Sequence, residues 1–404
     1  MATRDRIIVG LDIGTSKICC LITEVSDSDE LEIIGFGLSE SKGLRRGLVV
    51  NMEQTVNAIK HSVEDAERMA GIRIDDIYTG IAGGQIQGVS TNGVIAIKGD
   101  EIISSDKRRV IEQAKDFVKP AGMEIIHVLP QEFAVDDITG IEDPVGMAGS
   151  RLEVMVHIVT SSVAAVSNIT KCAQKAGLGV SDIVLQQLAS SSAILTPDEK
   201  KLGVILIDIG GGTTDIAIFD RGSIRHTAVL ALGGDHVTND IAVGLRTPIA
   251  EAERLKIKYG HAIATQVSDG EQIEVPSIGG DSVNIVSRRV LAEIIESRVE
   301  ELFKLVYTEI RGTGLADQAS AGLVLTGGAS SLEGVADLAE GILHMPVRVG
   351  LPRGVKGLVE LVKDPAYATV VGLCLYGAGK SPYTHKSKGP SFFERILQWI
   401  KEAF

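Results

Sequence analysis

At 404 residues the chain is long enough for at least two domains, and its 44% of hydrophobic residues is sufficient for their cores. The formal net charge of −13 argues against non-specific binding to nucleic acid, because a phosphate backbone is held by clustered lysine and arginine. The sequence shows neither a signal-like start nor a run of ~18 apolar residues, so we expect membrane contact to be peripheral.

The first distinctive element is a strand–turn–strand pattern at residues 7–22, IIVGLDIGTSKICCLI. An apolar run breaks at Asp12, crosses Gly14 and Thr15, and becomes apolar again after Lys17. A glycine lets bare backbone N–H groups approach a ligand, and the threonine adds a hydroxyl donor. Such a turn suits phosphate. The nearby carboxylate implies a cation as well, which we expect to be Mg²⁺ held through water.

A small α+β unit is predicted at residues 83–162, between helices expected over residues 52–69 and 163–176. Within it, His127 and His157 lie on predicted strands without metal-ligand spacing, so structural roles are expected. The four cysteines show neither disulfide nor metal-ligand spacing and are predicted to be reduced core residues of a cytoplasmic protein. The unit therefore interrupts the first part of the fold as an insertion.

The pattern of the first hairpin returns at residues 204–219, VILIDIGGGTTDIAIF. Asp208 ends the first apolar run, three glycines and two threonines form the turn, and Asp215 begins the return. A single glycine-rich hairpin is equally compatible with a simple reversal of the chain. The triplet Asp-Ile-Gly, however, occurs at both Asp12 and Asp208, which favours an internally duplicated fold with two halves facing across a cleft.

Helices and one further glycine turn follow the second hairpin. Helices are predicted over residues 235–242, directly after Gly233 and Gly234, and over 248–259 and 288–311, the last with a continuous apolar side. At residues 323–334, LVLTGGASSLEG, an apolar strand runs into two glycines before a helix, a second setting in which backbone N–H groups favour phosphate. Residues 366–377 are apolar and rich in small side chains.

The end of the chain differs from everything before it. Residues 379–391 read as a polar linker containing proline and glycine, and residues 392–404, FFERILQWIKEAF, as an amphipathic helix. From Lys380 onward the charge is +3, and the single Trp399 lies in this segment, as expected for a helix on an anionic membrane. The alternative is a terminal helix docked on its own core. The predicted membrane residues are Phe392, Phe393, Ile396, Leu397, Trp399, Ile400 and Phe404.

The three glycine turns, in this order, resemble the phosphate-1, phosphate-2 and adenosine motifs of the actin, Hsp70 and sugar-kinase superfamily. The resemblance implies an α/β, actin-like (ribonuclease H-like) duplicated fold with two halves around a nucleotide cleft and an inserted α+β subdomain. ATP or ADP with Mg²⁺ is then the expected ligand, with Asp12 and Asp208 near the metal. The nucleotide-binding residues implied are Asp12, Gly14, Thr15, Lys17, Asp208, Gly210, Gly211, Gly212, Thr213, Thr214, Asp215, Gly234, Glu253, Lys256, Gly327 and Gly328.

Two of these expectations depend on position within the superfamily pattern. Residues 183–195 resemble the connecting helix, where a carboxylate usually positions the attacking water, and the alignment puts Gln187 there. An amide cannot accept the proton, so slow or no ATP hydrolysis is expected. Glu253 and Lys256 resemble the ribose and adenine contact, although an exposed helix carrying Glu and Lys is the commoner reading of such residues.

The whole chain, including LPQEFAVD, DPVG and LTGGASSLEG, resembles the bacterial FtsA family of cell-division proteins. The resemblance implies an ATP-binding, actin-like protein that polymerises on the cytoplasmic face of the inner membrane at the division site. It also implies that the protein tethers the FtsZ ring, and that other division proteins contact the inserted subdomain. The C-terminal tail of FtsZ is then expected on the helix from Arg288 to Lys304, with Arg288 and Arg298 as contact residues.

The resemblance divides the chain into five parts. The first half comprises residues 1–82, 163–200 and 366–378; the insertion 83–162; the second half 201–365, with an outer subdomain at 241–304; the linker 379–391; and the terminal helix 392–404. Two alternatives share the cleft: an ATPase or small-molecule kinase of the same superfamily, and an actin-like adaptor in pilus assembly.

Overall fold

The computed structural model describes residues 6–28, 30–116, 120–279 and 282–380. The predicted membrane helix and nearly all of the predicted linker therefore lie outside the described residues. The elements of the first half before the insertion are β1 (Ile7–Ile13), β2 (Lys17–Val25), β3 (Leu31–Glu40), β4 (Leu44–Arg45), β5 (Leu48–Val49), α1 (Met52–Ala70) and β6 (Asp76–Ile81).

The inserted unit follows β6 and returns the chain to the first half. Its elements are β7 (Gln87–Ala96), α2 (Ser104–Ala114), β8 (Met123–Val135), β9 (Ile138–Ile141) and β10 (Arg151–Ser162). The first half then continues with α3 (Val163–Lys175), β11 (Gly179–Leu185) and α4 (Gln186–Ile194). The inserted strands form a separate antiparallel sheet in the order β7-β10-β8-β9.

The second half begins after α4, and its last helix returns to the first half. Its elements are α5 (Pro197–Leu202), β12 (Val204–Ile209), β13 (Thr214–Asp220), β14 (Ser223–Leu230), α6 (Gly234–Leu245), α7 (Ile249–Tyr259), β15 (Gln272–Pro276), β16 (Val283–Ser287), α8 (Arg288–Thr313), β17 (Leu323–Thr326), α9 (Val335–Leu343), β18 (Val347–Val349), β19 (Val355–Gly357) and α10 (Ala368–Lys380).

The two halves carry the same sheet. In the first, β3-β2-β1-β6-β11 pair in that order, with β1–β2 and β2–β3 antiparallel and the other pairs parallel. In the second, β14-β13-β12-β17-β18 repeat the order and the directions. Strand β19 adds to the outer side of β3. The duplicated α/β fold predicted from the two hairpins is thus confirmed.

Burial explains why the central strands read as continuous apolar runs. Every residue of β12 is buried, because helices cover both faces of a sheet with parallel neighbours. In the insertion, β10 alternates over its first residues, and its sheet is covered on one face by α2. All four cysteines are buried and free, as predicted.

Helices α4 and α10 connect the two halves and cross at very short range. A Cβ at Gly372 of α10 would lie 1.9 Å from the carbonyl oxygen of Ala189 in α4. Strand β1 packs against the same helix, since a Cβ at Gly10 would lie 2.7 Å from the carbonyl oxygen of Val370. Glycine is therefore required at this crossing because it lets two backbones come together.

Two predicted boundaries need correction. The last helix extends to Lys380 rather than giving way to a linker at residue 379, and the Lys380 ammonium pairs with Asp182 of β11 at 2.5 Å. Residues 183–195 are not a single helix: β11 continues to Leu185 as a strand parallel to β6, and α4 begins at Gln186. In the described part of the chain, no helix is long and apolar enough to cross a membrane.

Candidate functional site

The two repeated turns face each other across a cleft between the halves. Each turn closes in the same way, the N–H of Gly14 donating to the Lys17 carbonyl (3.0 Å) and that of Gly210 to the Thr213 carbonyl (2.9 Å). The turns also touch, since a Cβ at Gly211 would lie 1.8 Å from the Ser16 hydroxyl oxygen. The glycines therefore let two polar turns meet around one space.

That space is a polar cavity of about 290 Å³. All the predicted nucleotide-binding residues line it except Thr214, which is buried and whose hydroxyl donates to the Leu232 carbonyl at 2.8 Å. Thr214 points away because strand β13 alternates its side chains, and the neighbouring Thr213 and Asp215 take the cleft side. The structure thus brings together residues that are more than 300 positions apart in the sequence.

A second cavity of about 350 Å³, with mainly aliphatic walls, adjoins the first. The two cavities share Gly234, Lys256, Ile257, Gly328, Ala329 and Ala366. The sequence analysis missed most of the aliphatic walls, among them Leu232, Val237, Leu302 and Leu332. They carry no chemical signal of their own, since isolated aliphatic residues on helices read as core. A polar compartment beside an aliphatic one suits a ligand with a charged end and a flat apolar end.

Three carboxyl groups lie buried in the polar cavity. Burial raises the pKa of Asp12 to about 7, with Lys17 opposing and Asp208 adding to the rise. Burial likewise raises the pKa of Asp208 to about 6 and that of Asp215 well above its usual value. One oxygen of Asp215 accepts from the Thr213 hydroxyl at 3.1 Å, while the other has no partner among the described residues. Carboxylates that are desolvated and incompletely paired fit a cation bound with its ligand.

Two lysine ammonium groups, those of Lys17 and Lys256, line the polar cavity. Burial lowers the pKa of Lys17, whose ammonium lies 3.9 Å from the centre of the Tyr367 ring. The Lys256 ammonium donates to Glu253 (2.7 Å) and to the Thr238 hydroxyl (2.8 Å), so the predicted pair on α7 is held together at the cavity wall. In the described ranges, no group of three histidine, cysteine or acidic residues is arranged to hold a metal by itself.

Two structural details fix the loops around the cavity. The first N–H groups of α6, at Gly234 and Asp235, donate to the carbonyls of the Gly210–Gly211 turn (both 2.9 Å), so the helix start is joined to that turn. In the third glycine turn, Gly327 has φ +83° and packs against β12. This turn continues as a short 3-10 helix before α9 begins at Val335, so the predicted helix starts later than expected.

The glutamine that faces the cleft is Gln186, not Gln187. Its amide nitrogen donates to an Asp12 oxygen at 3.0 Å, and its side chain lines the polar cavity. Gln187 is fully buried away from the cavity, and neither end of its amide has a partner within the described residues. Successive side chains on a helix point about 100° apart, so an alignment wrong by one residue selects the wrong face.

The two arginines predicted to bind a partner lie on α8 and are already paired. Arg288 donates to Glu271 (2.7 Å) and to the Tyr259 carbonyl (2.9 Å). Arg298 donates hydrogen bonds to Asp240 of α6 through two nitrogens, at 2.5 and 3.1 Å, and also lines the aliphatic cavity. Arg298 therefore lies between the cleft and the outer surface of α8, a position that the sequence did not indicate.

The buried carboxyl groups should make stability depend on pH. Asp12 has a usual pKa of 3.8 and a pKa of about 7 in the fold, so between these values the folded chain keeps a proton that the unfolded chain has released. We therefore expect the ligand-free protein to lose unfolding free energy as the pH rises from 4 to 7, by up to about 4 kcal/mol for Asp12. Urea unfolding with EDTA present measures this loss.

Asp12→Asn should reduce that pH dependence without abolishing it, because an amide does not titrate while Asp208 and Asp215 keep their raised pKa values. Asp100→Asn removes an exposed carboxylate and should keep the parent's slope. The same slope in Asp12→Asn and in the parent would contradict the expected effect of burial.

Comparisons with known proteins agree with this geometry. A family model described as "Cell division protein FtsA" matches residues 205–372, and one described as "SHS2 domain inserted in FTSA" matches residues 83–160. The chain is 47% identical to the cell division protein FtsA of Pseudomonas aeruginosa, over 99% of this chain and 98% of that protein. It is 37% identical to that of Escherichia coli K12, over 100% and 99%.

Among solved structures, the PilM–PilN complex of type IV pilus biogenesis aligns with a TM-score of 0.66 at 17% identity, over 92% of this chain and 98% of that one. MreB5 of Spiroplasma citri bound to ADP aligns with a TM-score of 0.58 at 14% identity, over 94% and 98%. The duplicated halves, the facing glycine turns and these neighbours define an actin-like protein. The extended similarity to curated relatives is more specific. The chain belongs to the FtsA family of cell-division proteins.

Proposed function

We propose that the cleft binds ATP or ADP and that bound nucleotide acts as an assembly switch. The observation that carries this proposal is the joined pair of cavities, one polar between the two turns and one aliphatic beside Leu332. The polyphosphate would lie between the two turns near Lys17, and the base between the aliphatic walls. The similarity in fold to MreB5 of Spiroplasma citri, which is bound to ADP, supports the same assignment.

Mg²⁺ fits the oxygen-rich part of the cleft. Asp12 and Asp208 would hold the ion through water, and their raised pKa values and the unpaired oxygen of Asp215 are consistent with a cation there. When bound, the ion would neutralise phosphate charge. Gln186 can orient a water or phosphate oxygen by hydrogen bonding but cannot accept a proton, so slow hydrolysis or none remains the expectation.

We further propose that the protein assembles with its own copies at the cytoplasmic face of the inner membrane and links FtsZ to it. Membership of the FtsA family supports this role at the division site. The membrane part rests on residues 392–404, whose sequence separates apolar from polar residues around a helix. An adaptor in pilus assembly is less well supported, because the likeness to PilM at 17% identity concerns the fold alone.

The membrane assignment predicts a loss of vesicle binding on truncation. The full chain should sediment with vesicles that contain anionic lipid, whereas a chain ended at Gly389 should stay in the supernatant. Vesicles of neutral lipid serve as the control for the charge contribution of the tail. Equal sedimentation of the two chains on anionic vesicles would eliminate the proposed anchor.

The FtsZ assignment predicts that Arg298→Ala weakens binding of a peptide with the C-terminal sequence of FtsZ about tenfold, a loss usual for a central arginine contact. Fluorescence anisotropy measures this affinity. Arg311→Ala removes the same charge from the last turn of α8 and should bind the peptide like the parent.

Because Arg298 also lines the aliphatic cavity, nucleotide affinity must be measured on both variants. If Arg298→Ala weakens peptide binding but leaves nucleotide affinity unchanged, the result supports Arg298 as a contact residue. Peptide binding unchanged in Arg298→Ala contradicts the assignment.

A further inference from the structure

The inserted subdomain belongs to the first half by chain connectivity, yet it also contacts the second half. Its strands β7, β8 and β10 pack on β14, which would otherwise be an open edge of the second sheet. The Gln131 amide donates to the Ile224 carbonyl at 2.8 Å, and the Ser223 hydroxyl donates to the Gln131 carbonyl at 2.9 Å. The Ile224 carbonyl of β14 is therefore paired with a side chain of the insertion.

The centre of this contact is a buried polar pair. Nε2 of His157 in β10 is hydrogen-bonded to the Thr227 hydroxyl in β14 at 2.8 Å, and both side chains are more than nine-tenths buried. Burial lowers the pKa of His157 to about 4, so the imidazole is neutral at pH 7. A Cβ at Gly88 of β7 would lie 2.4 Å from the Thr227 hydroxyl oxygen, which shows how closely the three strands approach.

Ionic contacts surround the buried pair. Glu132 of β8 lies 3.3 Å from Arg225 and 3.7 Å from Arg221, one on β14 and the other just before it. These groups are partly exposed and contribute little energy on their own. They nevertheless extend the contact between the insertion and β14 towards the start of that strand.

The other end of β14 enters the cleft. Leu230 pairs with Thr214 of the second glycine hairpin, and the chain continues directly into Leu232, Gly233 and Gly234, which line the aliphatic cavity. From Thr227 to Leu232 the distance along an extended chain is about 17 Å at ~3.3 Å per residue. One continuous segment thus contacts the insertion at one end and the candidate nucleotide site at the other.

We infer that β14 couples nucleotide binding to the inserted subdomain. This inference rests on the proposed binding of nucleotide in the cleft. A ligand that holds the two halves together fixes β14 relative to the first half, and the insertion, attached to both, loses freedom to separate from it. Without the ligand, any rotation between the halves either carries the insertion along or breaks its contact with β14.

Hydrogen exchange with and without Mg·ATP tests the coupling in the full-length chain. In the parent, nucleotide should slow exchange of residues 210–213 in the turn and also slow exchange of β7 about fivefold or more, the lower end of usual coupling energies. Thr227→Val keeps the shape of the side chain and removes its hydroxyl. In this variant the slowing of exchange by nucleotide should become smaller in β7 and stay unchanged in residues 210–213.

Thr227→Ser restores the hydroxyl and should restore the response of β7, which loss of packing alone would not explain. No response in the turn of the parent would overturn the proposed nucleotide binding. A response in the turn with none in β7 of the parent would overturn the coupling alone. Equal β7 responses in parent and Thr227→Val would also overturn the role assigned to this hydrogen bond.

Discussion

Replacing Gly372 by alanine is expected to lower the unfolding free energy by about 3 kcal/mol or more. In a helix interior alanine is normally favoured over glycine by ~1 kcal/mol, so the helix itself would gain. The new methyl group, however, would lie 1.9 Å from the carbonyl oxygen of Ala189 and 2.3 Å from its carbonyl carbon. These atoms belong to the backbone of α4 and cannot rotate away, so the two connecting helices must move apart.

Gly341→Ala is the matched control for this prediction. Gly341 lies in α9, is exposed, and has nothing within 4 Å of the position of a Cβ. The substitution should stabilise the protein by about 0.5–1 kcal/mol. Urea unfolding of both variants gives the comparison, and a Gly372→Ala protein as stable as Gly341→Ala would disprove the close crossing of α4 and α10.

Gly327→Ala should have the second large effect, on both stability and nucleotide affinity. Gly327 has φ +83°, where a side chain is strained, and a Cβ would lie 2.4 Å from an Asp208 oxygen and 2.5 Å from the Ile209 carbonyl oxygen. Relief of this overlap displaces the end of β12, which carries Asp208. We expect a loss of about 2–4 kcal/mol in unfolding free energy and at least about tenfold weaker binding of a fluorescent ATP analogue.

The adjacent Gly328 provides the stability control. A Cβ there would meet the Ala366 Cβ at 3.7 Å, an ordinary contact. Gly328→Ala should therefore unfold within about 0.5 kcal/mol of the parent. If the two alanine variants unfolded alike, the assigned conformation of the third glycine turn would be wrong.

Local sequence patterns were sufficient to predict those parts of the site whose residues lie close together in the sequence. Each hairpin carries its own aspartate, glycines and hydroxyls within ten residues. The repeat of Asp-Ile-Gly predicted the duplicated fold, and the two copies do lie in sheets with the same strand order. The order of the three turns along the chain then indicated the superfamily, and the resemblance of the whole chain indicated the family. The cleft itself follows from that symmetry, since two similar halves present similar turns.

Other features depend on packing that no local pattern encodes. Gln186 and Gln187 are chemically identical in sequence, and the start of α4 alone decides which of them faces Asp12. The contact of the insertion with β14 joins His157 to Thr227 across 70 positions, and neither residue belongs to a recognisable motif. The pairing of Arg298 with Asp240 joins two different helices, so no local pattern around either residue indicates it.

The ion pair between Lys380 and Asp182 has a mechanical consequence. Any tension on the chain beyond this residue enters α10 at its C-terminal end, where Asp182 accepts from the Lys380 ammonium and from the Tyr376 hydroxyl. About 17 Å further along the same helix, at ~1.5 Å per residue, the Thr369 hydroxyl donates to Asp208 in the cleft at 3.3 Å. A force on the C-terminal segment would therefore act first on the ion pair with the first half. It would then act along helix α10, whose other end lies beside the second glycine turn.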